Sequence, residues 1–429
     1  MIITVLKAVI AVDAGWAVGA ADPGAAGLDR ELLLDAAGHP WVPPSSLAGS
    51  LRAHLAGRGA DERLMGSRPP LAVTRPRGAA APDLDPSALW LLGTQARRPG
   101  TPGSPQPPAT TVEANTAVDP RRQAARPQSL RHSRVVDEPA VIELYAQFNG
   151  ELSAGDLELL ASWHPQAGRD RTRGGGAAQL RSLGYRAYDL SDANDLRAWL
   201  QTPGTGRFSA LTDVPVTAGP DDILVSEEFE IIDAIHIGTG SRRDNTSLTR
   251  TRGGQPLVPA STWKGLFRAR SGYIIRTCWG ETAACTGQTG CGTCPLCDLF
   301  GSTARRGRIA FRSSTVTNAQ RRTRAHVAID RVSGGATDKL LFTDEIITAG
   351  TVKLTICALG TIADWQHDLL RHVVRDIHDG LIGVGGGAQR GQGTLQLTTA
   401  SHEQAGAPRP IPARPPGHEA APDAPGAAR

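Results

Sequence analysis

Two segments of the chain, residues 3–12 and 228–237, alternate apolar and polar positions. That period of two predicts strands with one buried face. Each segment is followed by a polar loop and then by a Val-Pro-x-Ser sequence. Since proline cannot continue a strand ladder and serine is a good helix N-cap, each half of the chain is expected to pass from a strand into a helix.

The helix of the second half has core-facing positions at Trp263, Phe267 and Ile274, so we expect about four turns that begin at Ser261 or Thr262. Further along, the pattern predicts a helix over 366–379, a glycine-rich loop and a last strand over 394–397. Strand, helix, hairpins, helix and strand in this order indicate an α+β chain with ferredoxin-like β-α-β-β-α-β units that carry insertions.

An eleven-residue segment recurs 216 positions later: VPPSSLAGSLR at 42–52 and VPASTWKGLFR at 258–268 share five identical positions. A period this long indicates duplication of a domain rather than a solenoid. We therefore predict two tandem domains, 1–205 and 221–400. Three further landmarks recur in the same order: LLGT at 91–94 and LFGS at 299–302, the segments that begin at His132 and His326, and the triple glycines 174–176 and 385–387.

Composition modifies this picture in two places. A Pro/Arg-rich stretch at about 96–129 predicts a long insertion loop in the first domain, and residues 402–429 have little to bury and predict a disordered tail. The net charge of +4 does not by itself indicate a nucleic-acid partner. Arginine supplies nearly all the positive charge, which suits phosphate and base contacts; a GC-rich genome would have the same effect.

Five of the six cysteines lie within residues 278–297. We expect no signal peptide and no membrane span, hence a cytoplasmic protein, and in that setting crowded cysteines favour a metal over disulfides. Four thiolates can hold structural Zn²⁺ in a closed knuckle. The predicted ligands are Cys285, Cys291, Cys294 and Cys297. Cys278 could replace Cys285, and reduced buried thiols are the plain alternative.

Four motifs of the second half occur in a known order: VPxS[ST]xxGxxR, CxxCxLFGS, AIDRVSGGA with LFxxE, and GGGxxRGxG. This set resembles the CRISPR-associated RAMP superfamily, and is most similar to the backbone subunits (the Cas-seven group) of type III effector complexes. The first half resembles them more weakly, lacking the cysteines. The resemblance implies RRM-like RAMP domains, CRISPR RNA, complementary target RNA and other effector subunits, including the large polymerase-like subunit, as partners.

The family also implies a thumb hairpin that interrupts the guide–target duplex. Here it corresponds to residues 330–342; its first-half counterpart would lie near 135–140, where the Ser-Gly-Gly-Ala element is missing. For RNA contact we expect the glycine loop to offer backbone N–H groups as an anion nest, with a nearby arginine adding charge. A turn needed only for packing is the alternative. The predicted RNA-binding residues are Ser261, Lys264, Arg268, Arg52, Arg331, Gly385, Gly386, Gly387 and Arg390.

Family members that cleave target RNA carry an aspartate about fifteen residues before the motif proline. Asp244 lies 15 residues before Pro259, and Asp29 lies 14 before Pro43. Each could position Mg²⁺ or another divalent cation for attack by a 2′-hydroxyl, or could simply cap a loop. Three hypotheses remain at this point: a backbone subunit that cuts target RNA, a silent RNA-binding scaffold, and a metal-independent RAMP endoribonuclease that processes CRISPR precursors.

Overall fold

The computed structural model describes residues 1–20, 27–67, 84–100, 106–119, 124–217, 219, 222–243, 246–286 and 290–412. Up to residue 217 the helices are α1 (Pro44–Ala56), α2 (Asp61–Met65), α3 (Ala154–Ala161) and α4 (Ala193–Gln201). The strands are β1 (Ile2–Val12), β2 (Leu89–Arg97), β3 (Thr110–Asn115), β4 (Val118–Asp119), β5 (Ala124–Ala125), β6 (Arg131–Val136), β7 (Ala140–Asn149), β8 (Ala178–Asp189) and β9 (Thr212–Val214).

The described residues after 221 contain α5 (Ala260–Trp279), α6 (Pro295–Phe300), α7 (Asp364–His378) and α8 (Thr399–Ala405). Their strands are β10 (Ile223–Ile231), β11 (Gly238–Arg243), β12 (Thr246–Thr249), β13 (Thr251–Arg252), β14 (Gln255–Val258), β15 (Ile309–Phe311), β16 (Ser314–Ile329), β17 (Ala336–Ala358) and β18 (Leu395–Leu397). Within the described residues no helix is long and apolar enough to cross a membrane.

The chain divides into two compact units, residues 1–117 with 127–220, and residues 118–126 with 221–429. The first unit holds a sheet of strand order β2-β7-β1-β8-β9. β1 is antiparallel to both β7 and β8. The four strands β1, β2, β7 and β8 therefore have the ferredoxin-like order 2-3-1-4. Leu6, Ile10, Leu47, Leu51 and Leu160 form part of its core, which places α1 and α3 on one face of the sheet.

The second unit has the same order in its central strands. β15 pairs with β17, β17 with β10, and β10 with β18, all antiparallel. Trp263 and Phe267 of α5 and Leu369 and Val373 of α7 are fully buried in its core. The Trp263 indole N–H donates to Ser314 Oγ at 3.0 Å, so the buried polar edge of this ring is satisfied.

A long hairpin leaves this second sheet. β16 and β17 remain paired from Val316↔Val352 out to Ile329↔Ala336, and a turn over 330–335 joins them. Val332 in that turn is 96% exposed. Since residues 330–342 span the turn and the outer part of β17, the expected thumb is the distal end of this hairpin.

Several expectations about elements need correction. α5 begins at Ala260 with Pro259 as its N-cap and no side-chain cap, and it extends for 20 residues rather than four turns. The 96–129 stretch is not a structureless loop, because β3 lies within it and pairs with β6 over six residues.

The tail prediction is wrong for its first residues. Residues up to Ala405 belong to α8, and beyond it Pro412 O accepts the Trp279 indole N–H at 2.7 Å. Arg409 Nε lies 3.2 Å from Asp368 Oδ2. Ile411 packs against the second core. The contacts fix 406–412 as a strap on the second unit, and residues 413–429 lie outside the described residues.

Candidate functional site

The glycine loop of the second unit is a turn closed by backbone hydrogen bonds. Gly385, Gly387, Gly391 and Gly393 have positive φ, and a 3₁₀ turn over Ala388–Arg390 lies between them. The loop N–H groups that donate to carbonyls of the same unit are those of Val384, Gly386, Arg390, Gly391, Gln392 and Gly393. Of the three predicted glycines, Gly386 therefore does not offer its N–H group to an anion, and anion contact by Gly385 and Gly387 stays a prediction.

Glycine is required at Gly385 by both conformation and space. Its φ is +96°, and a Cβ there would lie 2.6 Å from His236 O. That carbonyl accepts the Gly386 N–H at 2.8 Å, which ties the loop to the segment after β10. Glycine at this position therefore lets the loop pack closely against the segment after β10. The side chain of Arg390 in this loop is 53% exposed.

A buried carboxylate lies beneath that arginine. Asp344, on β17 at the base of the hairpin, is 6% exposed. Its Oδ2 lies 3.6 Å from the Arg390 guanidinium and 3.3 Å from His326 Nε2. The His326 ring stacks on Phe342 at 5.1 Å. A buried carboxylate requires a charged neighbour, and Arg390 supplies one at the point where the hairpin meets the loop.

Next to this cluster lies a second polar network. His236 is 8% exposed, and its Nδ1 and Nε2 lie 2.7 Å from Glu345 O and 3.2 Å from Ser247 Oγ. The Thr249 N–H donates to Glu345 Oε2 at 2.9 Å. Sequence reasoning missed His236 and Asp344 as members of a site; only their neighbour Glu345 appeared there, within the LFxxE motif.

Asp244 lies outside the described residues, so its side chain is not placed. The strand that follows it is placed: Thr246 and Ser247 of β12 pair in parallel with Thr343 and Asp344 of β17. The first residues of β12 thus lie next to Asp344 in the sheet. The catalytic role of Asp244 stays a prediction.

Asp29 is exposed and holds a turn. Its Oδ2 accepts the His132 N–H at 2.8 Å, and its own N–H donates to His132 O at 2.9 Å. This is the loop-capping arrangement that was the alternative to catalysis. One carboxylate oxygen is engaged, and the catalytic role of Asp29 likewise stays a prediction.

The two motif arginines have structural partners. Arg268 donates to Gly301 O at 2.6 Å and to Cys297 Sγ at 3.5 Å. Arg52 donates to Gly66 O at 2.9 Å. Each thus holds the glycine that ends the short helix α6 or α2, and RNA contact by either arginine stays a prediction.

The other predicted contacts are divided between two places. Ser261 and Lys264 are half-buried in the first turns of α5. Arg331 is exposed in the turn at the far end of the hairpin. The pairing of β16 with β17 separates that turn from Asp344 and Arg390 at the base, so the structure does not bring Arg331 to the glycine loop.

Four cysteines converge after α5. The Sγ atoms of Cys285, Cys291, Cys294 and Cys297 all lie within 4.8 Å of one another, and Cys285 Sγ is 3.4 Å from Cys297 Sγ and 3.7 Å from Cys294 Sγ. Tetrahedral Zn–S bonds of about 2.3 Å place sulfurs about 3.8 Å apart. The four thiols fit a metal such as zinc. Cys278 is exposed in α5 and is not part of this group.

The electrostatics of the cluster divide its four thiols into two pairs, because burial raises the pKa of Cys285 and raises that of Cys294 to about 12. Partial burial works against the Cys291 thiolate, but the Cys294 N–H and the Thr293 hydroxyl outweigh it and lower the pKa of Cys291 to about 6. The pKa of Cys297 is also lowered despite burial, by the Gly292 N–H, its thiol neighbour and Arg268. Thiolates are the metal-binding form of cysteine.

The first unit contains a loop with the same backbone pattern. Gly168, Asp170, Gly174 and Gly176 have positive φ around a 3₁₀ turn over Arg171–Arg173. Each lies 217 positions before its counterpart in the second loop. The hydrogen bond from Ala167 N to Gly176 O at 3.1 Å matches that from Val384 N to Gly393 O at 2.9 Å.

This register corrects three landmark assignments. Gly174 corresponds to Gly391 and not to Gly385, so Arg173 corresponds to Arg390. LLGT at 91–94 is in strand β2, whereas LFGS at 299–302 ends α6; its structural counterpart is LMGS at 64–67, which ends α2. His132 lies on β6 and His326 on β16, the opposite strands of their hairpins.

The sequence model of the RAMP superfamily matches residues 228–396. The matched segment runs from β10 to β18 and contains the glycine loop, the hairpin and the cysteine cluster. The match covers less than half of the chain, and it makes residues 228–396 similar to RAMP proteins. No curated protein matches the chain.

Proposed function

We propose that the chain is a tandem backbone subunit of a type III CRISPR effector, in which both units are RAMP domains that bind CRISPR RNA and present complementary target RNA. The glycine loop carries this proposal. The two loops share their φ pattern and their hydrogen bonds at one constant offset, which supports descent of both units from one domain.

RNA contact is assigned to the base of each hairpin. Arg390 is 53% exposed above the buried Asp344. In the first unit Arg173 is 40% exposed and pairs with Asp170. Guanidinium groups held at a fixed angle are suited to bidentate phosphate contacts. These contacts, repeated along a guide, would place the protein in a cytoplasmic ribonucleoprotein with the other effector subunits, including the large polymerase-like one.

Cleavage of target RNA is assigned to Asp244, and more weakly to Asp29. A divalent cation held by such a carboxylate would polarise the 2′-hydroxyl and the phosphate. The second unit favours activity, because β12 enters its pairing beside Asp344 and His326. The first unit favours a silent scaffold, because Asp29 already caps the backbone of His132.

The test is a complex reconstituted with guide RNA and a labelled complementary RNA in Mg²⁺. Wild type is compared with Asp244→Ala, Asp29→Ala and the control Asp379→Ala, a surface aspartate that pairs with Arg375. Loss of one regularly spaced product in Asp244→Ala alone supports the assignment. If the wild-type complex leaves the target RNA intact, the protein is an RNA-binding scaffold without cleavage activity. If the isolated chain cleaves precursor RNA without metal, it is the processing enzyme instead.

A further inference from the structure

The first unit has a cavity on the sheet face opposite α1 and α3. α4 and the 3₁₀ helix Gly204–Phe208 cover part of this face. Between them and the sheet lies a cavity of about 300 Å³, lined among others by Tyr145, Trp199 and Phe208. Gly93 of β2 lines it too, and a Cβ at that position would meet nothing within 4 Å. The space is thus left open by a missing side chain.

Aromatic rings form the walls and are held in place. Tyr145 and Phe208 pack edge to face at 5.0 Å. Trp199 packs edge to face on the buried Tyr188 at 5.3 Å. The Arg207 guanidinium lies 4.0 Å from the Trp199 ring, and its Nε donates to Trp199 O at 3.2 Å. Because these rings are preorganised, a planar ligand would lose little free energy in ordering them.

Cations lie at and near the wall of the cavity. Lys7 Nζ and Arg97 share a single carboxylate, Glu143, at 3.1 and 3.3 Å. The Tyr145 hydroxyl donates to the same carboxylate at 2.7 Å. Arg207 lines the cavity itself, and Lys7 Nζ lies 5.6 Å from the centre of the Tyr145 ring. Aromatic walls with cations beside them suit a base that carries a phosphate.

We propose that this cavity binds one unstacked nucleobase of single-stranded RNA, with the ring against Trp199 and Phe208 and the adjoining phosphate near Lys7 or Arg207. The inference rests on the proposed RNA-binding function but concerns a surface separate from the glycine loop. It gives the first unit a base-stacking contact that the hairpin and loop residues do not supply.

The test uses the full chain and a single-stranded oligouridylate that contains 4-thiouridine. Gly93→Leu fills the cavity without removing a wall, and Gly360→Leu is the matched control, since Gly360 is exposed and its Cβ position is also open. We expect photocrosslinks to peptides that contain Tyr145 or Phe208. Gly93→Leu should lose them and bind the oligonucleotide about tenfold more weakly, the contribution of one stacked base.

A second variant, Phe208→Leu, removes a wall and should also lower the crosslink yield. Crosslinks confined to other peptides, with equal affinity for Gly93→Leu and Gly360→Leu, overturn the inference while leaving the proposed function intact. Failure of wild type to bind RNA at all would overturn both, and equal melting temperatures of the variants exclude unfolding as the cause of any loss.

Discussion

The glycine loop gives the sharpest test of how the site is built. Gly385 has φ +96°, and a Cβ there would lie 2.6 Å from His236 O and 2.8 Å from Ile237 Cδ1. Gly391, six residues later, has φ +79° but open space around its Cβ position. Alanine at Gly391 therefore tests conformational strain alone, whereas alanine at Gly385 adds a steric clash.

Strain in the left-handed region costs about 1–2 kcal/mol for an alanine. At Gly385 the loop must also move off His236 O, which breaks the 2.8 Å hydrogen bond from Gly386 and costs about another 1 kcal/mol. We expect Gly391→Ala to destabilise the second unit by about 1 kcal/mol and Gly385→Ala by about 3 kcal/mol. The difference is a factor of about 30 in the opening equilibrium.

Hydrogen exchange measured by mass spectrometry reports this locally. Amides of β10 and β18 in the second unit should lose protection more in Gly385→Ala than in Gly391→Ala, while amides of β1 in the first unit should not change. Equal loss in both variants would refute the role of the His236 carbonyl. Full protection in Gly385→Ala would refute the packing argument altogether.

Three more outcomes are expected. Cys297→Ser should lower the bound zinc measured by elemental analysis, whereas Cys278→Ser, outside the cluster, should not; equal zinc in both variants contradicts the assignment. Burial lowers the pKa of His54 from its ordinary 6.5, so the unfolded chain binds a proton at a higher pH than the folded chain does. The unfolding free energy of the first unit should therefore fall as the pH drops below about 6.5. In urea titrations at several pH values, His54→Gln should reduce this dependence of the unfolding free energy on pH. Deleting residues 406–429 removes the hydrogen bond from the Trp279 indole to Pro412 O and should lower the unfolding free energy by about 2 kcal/mol. Truncation after Pro412 keeps this hydrogen bond and should leave the unfolding free energy unchanged.

Local patterns could be read from the sequence where a single residue type dictates the conformation. The cysteine spacing placed four thiols together because tetrahedral coordination admits few arrangements. The Val-Pro start of α5 was found within two residues, since Pro259 cannot extend the preceding strand. In both cases chemistry at one position limits the fold, so no knowledge of distant residues was needed.

The register between the two halves could not be read in this way. The sequence comparison aligned the triple glycines 174–176 with 385–387 because the residues are identical. The φ angles give a different alignment, in which Asp170 has the left-handed conformation that Gly387 has in the other loop. Aspartate tolerates that conformation, so its presence hides the correspondence. Asp344 escaped notice for another reason, because its burial depends on Arg390 and His326, which approach it only after the hairpin and loop have folded.

The same backbone therefore carries two different charge arrangements. In the second loop the partner of Arg390 is Asp344, a strand residue that is nearly buried; in the first, Arg173 pairs with Asp170, which belongs to the loop itself and has a side chain 34% exposed. A carboxylate in a buried position interacts more strongly than one screened by water. The carboxylate beside Arg390 belongs to the sheet and lies 3.6 Å away, whereas the one beside Arg173 belongs to its own turn and accepts a hydrogen bond from it. The two loops therefore share their backbone shape but differ in the carboxylate that lies beside the arginine.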